Sequence, residues 1–261
     1  MCSSDLYSVF NSGANFEGAP VGFKADAPGD VRNRGQGLLA NDIDFRPNTP
    51  LVVTGIRLNN KSLPWTPVMA GSGTSLSDSS LHGTVTVYAN GGIEFVPDGS
   101  DSYWYPQPGD KYPDSIVFQY QVSDGLDSEW HKVYIHQGMY HRGAAPDNQQ
   151  TGRKMYLLDG GSEYQPHTDV RTRFFTEGSA GGDIVMLAQG IDPWDQKERV
   201  DQAFDEYAQG TARSATSLQI TLREQANDPR LARFINGADA IWMWGGAQSF
   251  YTSNWTGTLV G

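Results

Sequence analysis

The hydrophobic pattern of this chain changes character once, near residue 150, and that change limits the folds open to it. Before this point, apolar residues in short stretches tend to alternate with polar ones, and many are β-branched or aromatic. Such alternation is typical of strands buried on one face. It predicts a β-sandwich with strands at residues 51–57, 83–88, 93–96, 115–122 and 130–136, and a tight Asn-Gly-Gly turn at 90–92.

After residue 153, short apolar runs alternate with amphipathic stretches at helical spacing. The pattern predicts strands at 154–158, 183–188, 216–222 and 240–244, and helices at 168–176, 198–208 and 228–235. Strands separated by helices form a parallel sheet with helices on both faces. We therefore predict an N-terminal segment at 1–34, an all-β sandwich at 35–140, a polar linker at 141–152 and an α/β domain at 153–261.

Charge and composition exclude several classes of partner. The net charge is -11, from 19 basic against 30 acidic residues. Because no cluster of Lys and Arg interrupts this acidity, we expect no nucleic-acid partner. The sequence has no apolar run of bilayer-spanning length, so we expect no membrane span. Its one cysteine, Cys2, lies in a six-residue start (1–6) that resembles the translated tail of a sequencing adapter, and we expect any signal peptide to lie outside this sequence.

The first half carries four motifs in a fixed order. They are Leu-Ala-Asn-Asp-Ile-Asp at 39–44, His-Gly-Thr-Val at 82–85, Gly-Gly-Ile-Glu-Phe-Val-Pro at 91–97 and a closing Asp-Ser-Ile-Val-Phe-Gln-Tyr-Gln-Val-Ser-Asp-Gly at 114–125. Together they resemble the bacterial Ig-like and cadherin-like repeats found in tandem on secreted proteins. The resemblance implies an Ig/cadherin-like sandwich in a secreted or cell-surface protein. An aromatic insertion at 101–113 departs from it, either as a sugar- or polymer-binding patch or as a loop that caps the sandwich.

Four acidic or amide side chains of this half are candidate calcium ligands. Hard oxygen ligands of this kind are what Ca²⁺ takes. The alternative, which we favour, is that the same residues form Asx turns, because short acidic turns are far commoner than metal sites. Calcium is the one cofactor that the sequence suggests. The candidates are Asn41, Asp42, Asp44 and Asp124.

The second half carries five further motifs. They are Leu-Asp-Gly-Gly at 158–161, Ala-Gly-Gly-Asp-Ile-Val at 180–185, Ile-Asn-Gly-Ala-Asp-Ala-Ile at 235–241, Gly-Gly-Ala-Gln at 245–248 and Gly-Thr at 257–258. Residues 154–261 thereby resemble the first half of a cyanophycinase-like serine peptidase of the class I glutamine amidotransferase-like fold. The resemblance implies a flavodoxin-like three-layer domain. It also implies hydrolysis of cyanophycin, a polyaspartate bearing arginine, or of related β-aspartyl-arginine peptides.

The glycine pairs are the candidate substrate cleft. Gly160, Gly161, Gly245 and Gly246 follow predicted strands, where ligands bind in open α/β sheets and where backbone amides can stabilise an oxyanion. Without the resemblance, Gly-Gly pairs are better explained as strand-to-helix turns. The resemblance further implies that Gln248 lines the cleft. Ala247 stands where the family usually has Asp or Asn, so a polar contact to substrate is lost there.

No catalytic residue is assigned in this chain, and we expect it to be inactive alone. The family nucleophile lies in a Gly-Thr-Ser-Ala-Gly-Ala elbow after the next strand, and its histidine follows later; neither position is present. Gly-Ser-Ala-Gly-Gly at 178–182 imitates an elbow, but a helix precedes Ser179 and a strand follows it, the reverse of what an elbow requires. His167 is predicted to be a solvated residue at a helix start rather than a base.

Three other functions stay open from the sequence. The α/β domain could belong to a non-catalytic amidotransferase-like binding protein, in which the β module carries the activity. The chain could instead be a calcium-dependent surface adhesion module. A different hydrolase of the same fold is the third alternative, because the residues that set its chemistry follow the cleft segment.

Overall fold

The computed structural model describes residues 5–9, 23–25, 37–39, 50–60, 62–99, 115–147, 149, 155–158, 168–188, 193–244 and 248–261. Within these ranges the chain is a mixed α/β protein with three β-sheets and a few short helices. One of the sheets is largely parallel, as the alternation of strands and helices predicts for the second half.

The first half forms two sheets. One has the strand order β1-β9-β8-β3-β4 and the other β2-β7-β6-β5, and all neighbours are antiparallel except β1 and β9. The strands are β1 (Asp5–Val9), β2 (Phe23–Ala25), β3 (Val52–Leu58), β4 (Thr66–Pro67), β5 (Thr74–Asp78), β6 (Gly83–Val87), β7 (Ile93–Pro97), β8 (Ile116–Ser123) and β9 (Ser128–Gln137).

One hydrophobic core fills the space between these two sheets. Phe118 and Tyr120 of β8 are fully buried in it, together with Val85 and Phe95 from the opposite sheet. The predicted turn is present, because the Tyr88 N–H donates to the Gly92 carbonyl at 2.9 Å while Gly91 between them has φ +89°. A positive φ costs glycine little, so this position suits it.

The second half forms a five-stranded sheet in the order β10-β13-β12-β14-β11. All neighbours are parallel except β10, which pairs antiparallel with β13 at one edge. The strands are β10 (Met139–Gly143), β11 (Met155–Leu158), β12 (Asp183–Ala188), β13 (Ser214–Gln219) and β14 (Ala240–Met243). The helices are α1 (Thr168–Arg173), α2 (Pro193–Gln202), α3 (Arg223–Ala226), α4 (Pro229–Gly237) and α5 (Gln248–Trp255), and π-helical turns at Phe174–Gly178 and Ala203–Tyr207 extend α1 and α2.

Helices cover both faces of this sheet. Phe174 and Val200, from the α1 and α2 side, share one core with Trp242. Leu231 of α4 and Trp255 of α5 pack on the opposite face. The sheet is therefore the middle of three layers, and its central strands are buried on both sides.

Several details differ from the sequence prediction. β1 and β2 lie within 1–34, which was predicted to precede the sandwich, but they pair with β9 and β7 of its sheets. The third strand, predicted at 216–222, occupies Ser214–Gln219 instead. Its polar start is stabilised inside the protein because the Ser214 hydroxyl donates to the Asp183 carboxylate at 2.7 Å. In addition, the predicted linker at 141–152 overlaps β10, whose residues pair with β13.

The two halves meet through buried contacts around Gly138, the single residue between β9 and β10. The Gly138 carbonyl accepts the Gln219 N–H at 2.7 Å. His136 Nε2 lies 2.6 Å from the side-chain oxygen of Gln219, and both residues are fully buried. Leu222, from the second half, lies in the core of the first. The halves are thus joined by packing as well as by the chain.

Candidate functional site

The two strands that lead to the glycine pairs lie side by side. β11 pairs with β14 in parallel register, with Leu157 opposite Trp242 and Leu158 opposite Met243. Because parallel strands point the same way, both ends face one edge of the sheet, which is where ligands bind in open α/β sheets. Gly160 is the second residue after the end of β11, and Gly245 is the second residue after the end of β14.

The candidate cleft residues themselves fall largely outside the described part of the chain. Gln248 is the first residue of α5, the helix that follows β14. The candidates that lie outside the described residues are Gly160, Gly161, Gly245, Gly246 and, with them, His167. Their assignment to a cleft stays a prediction that rests on the strand ends described above.

A pair of stacked tryptophans marks the carboxyl end of β14. The Trp242 and Trp244 rings lie 4.4 Å apart between centroids at an interplanar angle of 21°. Trp242 is buried, whereas Trp244 is half-buried. The backbone N–H of Trp244 donates to the Leu187 carbonyl at 3.0 Å, and the Trp244 carbonyl accepts the Tyr251 hydroxyl at 3.0 Å. These bonds hold the strand end against β12 and α5.

An arginine guanidinium lies over each of these two indole rings. The Arg171 guanidinium lies 5.4 Å from the Trp242 ring centroid, and the Arg199 guanidinium lies 4.4 Å from that of Trp244. Both distances are within the range of a cation–π interaction. The Trp242 Nε1 is buried and has no hydrogen-bond partner among the described residues. The edge that holds the predicted cleft therefore has a wall made of two stacked indoles and two guanidinium groups.

Sequence reasoning did not single out this wall, although part of the signal was available. Residues i and i+2 of a strand point to the same face, so Trp-Met-Trp at 242–244 places both indoles together. The arginines come from α1 and α2, which are separate in sequence from each other and from β14. Only the packing of both helices on one face brings Arg171 and Arg199 to that pair.

Ser179 is directed into the protein. It is fully buried, and its hydroxyl donates to the Phe175 carbonyl at 2.8 Å. The π-helical turn that extends α1 precedes it, and β12 begins four residues later. A nucleophile must present its oxygen to a substrate, so this serine has the structural position that its sequence context predicts.

A buried polar cluster lies at the opposite, amino-terminal edge of the sheet. The Asp183 carboxylate accepts the Ser214 hydroxyl at 2.7 Å and the Asp147 N–H at 3.0 Å. The Asp239 carboxylate in turn accepts the Asp183 N–H at 2.8 Å. Gly182 lies so close that a Cβ there would come within 1.9 Å of the Asp239 carboxylate oxygen. The Asp183 and Asp239 carboxylates thus join β12 to β13 and to the start of β14, which indicates a structural role.

The calcium candidates are only partly within the described residues. Asp124 lies in the turn between β8 and β9, where one carboxylate oxygen accepts the N–H groups of Leu126 at 2.9 Å and Asp127 at 2.8 Å. This is the Asx-turn arrangement that we weighed against calcium. In the described ranges there is no group of three or more His, Cys, Asp or Glu side chains arranged to hold a metal ion. Asn41, Asp42 and Asp44, like the insertion at 101–113, lie outside those ranges.

His141 lies on β10, the edge strand that pairs with β13. Its Nδ1 lies 2.8 Å from the Thr216 hydroxyl. Burial lowers the pKa of His141, and the backbone of Gly143 and Ala144 and the charge of Asp183 oppose that shift without reversing it. The neutral ring is therefore the form that the fold favours.

Comparisons with protein-family models, with curated proteins and with solved structures gave no match to this chain. Among the described residues, none of the helices is long and apolar enough to cross a membrane.

Proposed function

We propose that this chain supplies the substrate-positioning half of a serine-type hydrolase that acts on cyanophycin or related β-aspartyl-arginine peptides. The observation that carries the proposal is the parallel pairing of β11 with β14. It brings the two strands that precede the Gly-Gly motifs to the same sheet edge. Two sets of backbone amides near one point are what an oxyanion hole needs. The family resemblance of residues 154–261, to the flavodoxin-like peptidase domain named above, supplies the reaction.

The wall beside this edge fits the chemistry of such a peptide. A β-aspartyl-arginine dipeptide carries two free carboxylates and one guanidinium. Arg171 and Arg199 lie on this face and suit carboxylates, which arginine binds with paired hydrogen bonds. The Trp244 ring already stacks on Trp242 and carries the Arg199 guanidinium, so we assign this wall to the carboxylates of the peptide.

The proposal assigns no nucleophile to this chain. Ser179 is buried and bonded to the backbone, so we expect the chain alone to bind the peptide without cleaving it. The family resemblance implies that the nucleophile lies in an elbow that follows a further strand. We propose hydrolysis for a protein that includes that elbow, exported to the cell surface or beyond as the Ig/cadherin-like resemblance of the first half implies.

Binding by this chain is the first test. Isothermal titration with β-aspartyl-arginine should show saturable binding, and Arg199→Gln should weaken it by about tenfold or more, equal to ~1.4 kcal/mol. Arg233→Gln is the matched control, because Arg233 is exposed on α4 at the other face of the sheet and should leave the affinity unchanged. Equal affinities in all three proteins would contradict the assigned wall.

Hydrolysis is tested separately. A longer chain that includes the elbow implied by the resemblance should be incubated with cyanophycin granules, with release of the dipeptide as readout. We expect release, and its loss when the elbow serine is replaced by alanine. If the elbow lacks serine, and the protein binds the peptide without releasing the dipeptide, the non-catalytic binding protein would be favoured instead. Calcium-dependent melting of the first half would favour the adhesion module.

A further inference from the structure

The outer face of the first sheet carries an exposed aromatic surface. Trp65, just before β4, and Trp130 of β9 meet edge to face with ring centroids 6.3 Å apart. The Arg57 guanidinium of β3 lies over the Trp130 ring at 3.9 Å from its centroid. We call these three residues the tryptophan platform. Trp65 is 49% exposed, and exposed apolar surface of this kind is typical of binding sites.

Strand β3 has a glycine where the Trp65 ring of the platform lies against it. A Cβ at Gly55 would lie 2.5 Å from Cε3 of Trp65 and 3.5 Å from Cη2 of Trp130. Glycine at this position therefore lets the Trp65 ring lie against the sheet. Gly55, Gln121 and Trp130 are direct neighbours across β3, β8 and β9. The platform is thus a continuous surface across three strands.

Polar side chains border the rings in fixed orientations. The Gln119 side-chain oxygen accepts the Arg57 Nε–H at 2.8 Å. The Gln121 amide donates to the Ser128 hydroxyl at 2.9 Å and accepts from the Thr54 hydroxyl at 3.2 Å. Gln119 is buried, so its amide positions Arg57, whereas the half-buried Gln121 and the exposed Ser128 can also hydrogen-bond a ligand that has an apolar face.

The platform carries positive charge on an acidic protein. Lys132 is exposed on β9 and, two residues from Trp130, points to the same face. Across the strands Arg57 is opposite Gln119, and Gln119 is opposite Lys132. The two cations are therefore two strands apart, or about 10 Å. Although the chain as a whole has a net charge of -11, these two cations would attract an anionic ligand to this face.

We propose that the tryptophan platform binds a linear polysaccharide that carries carboxylates. A pyranose ring presents an apolar C–H face to an indole and hydroxyls to its edges, which matches the rings and the bordering amides. Carboxylates on successive sugars would pair with Arg57 and Lys132. The proposal concerns the first half alone and is independent of the hydrolase activity proposed for the second.

Affinity electrophoresis tests the proposal with polygalacturonate and a neutral glucan, hydroxyethyl cellulose, in parallel gels. We expect retardation by polygalacturonate only, decreasing as salt is raised. Trp65→Ala and Arg57→Gln should each weaken this binding by at least tenfold. Arg173→Gln removes an arginine that is 74% exposed in the second half, and should change nothing.

Thermal unfolding of each variant separates lost binding from lost structure. Because Trp65 is half exposed, Trp65→Ala should retain the melting curve of the parent within a few degrees. Absence of retardation by polygalacturonate would overturn the proposal, and so would equal retardation by the neutral glucan. Undiminished binding by a folded Trp65→Ala variant would place the ligand elsewhere and overturn it as well.

Discussion

The strands of the two halves bury their side chains in different ways. In β8, Phe118, Tyr120 and Val122 enter one core, whereas Val117 and Gln121 are only half-buried on the outer face. In β12 and β13 all six residues of each strand are buried. A sandwich sheet has one face in the core, but a sheet between two helical layers has none in water. Polar groups of the second sheet therefore depend on partners inside the protein, as Ser214 does on Asp183, and those of the first can form a surface.

The largest expected effect tests whether the two halves are energetically separate. Phe118→Ala should lower the free energy of unfolding by about 4 kcal/mol, because it opens a cavity in the first core. Leu222 and the bond between His136 and Gln219 couple that core to the second half, so we expect one cooperative transition. Urea unfolding followed by circular dichroism and by tryptophan fluorescence should give coincident curves. Two separated transitions, with only the first displaced, would show that the halves are independent.

A smaller effect is expected from the buried polar cluster of the second half. Gly182→Ala should lower the free energy of unfolding by about 3 kcal/mol, because its Cβ would overlap the Asp239 carboxylate. Gly210→Ala is the control: Gly210 has φ +73° with no atom within 4 Å of the added Cβ, so it tests backbone strain alone. That strain costs about 1 kcal/mol. Equal losses in urea unfolding would mean that the cluster is not as close-packed as described.

The junction should respond more weakly. Gln219→Leu removes the amide beside His136, and a lost buried hydrogen bond costs about 2 kcal/mol. Gln202→Leu, where the amide bonds only the exposed Glu206, should change stability by less than about 0.5 kcal/mol. Differential scanning calorimetry measures both. A Gln219→Leu variant as stable as the parent would indicate that packing, rather than this bond, joins the halves.

The smallest expected effect concerns pH. Burial lowers the pKa of His141, so the unfolded chain takes up a proton at pH values where the folded protein does not. Stability should therefore be constant above the ordinary histidine pKa of about 6.5 and decrease as pH falls below it. His141→Asn should make the decrease between pH 7 and pH 5 shallower in urea unfolding. Identical slopes in both proteins would assign the acid sensitivity to other groups.

Local pattern was sufficient for most of the elements. The strand at 183–188 was predicted, and so was the helix at 228–235, from apolar residues at helical spacing. β10 was missed, because Met139–Gly143 has no clear alternation and gains its stability by pairing with β13. β13 was displaced for a related reason, since its polar start is bonded to a residue that lies 31 positions away.

The candidate sites divide in the same way. The glycine pairs were proposed as a cleft because strand ends followed by Gly-Gly are a local signal; the strands before them are adjacent, and the cleft itself stays a prediction. The arginines at Trp242 and Trp244 could not be found locally, because they come from two separate helices. The tryptophan platform likewise combines Arg57 and Trp65 with Trp130, which lies 65 positions after Trp65 in the sequence.

The sequence by itself determined the two kinds of half, since the period of apolar residues decides whether a segment is buried on one face or on two. It also determined the order of elements, through turn and capping residues that act over a few positions. Only the tertiary structure decided which strands are neighbours, how the halves pack around Gly138, and which arginine guanidinium groups lie over which tryptophan rings. Those choices depend on contacts between residues distant in sequence, and no local pattern records them.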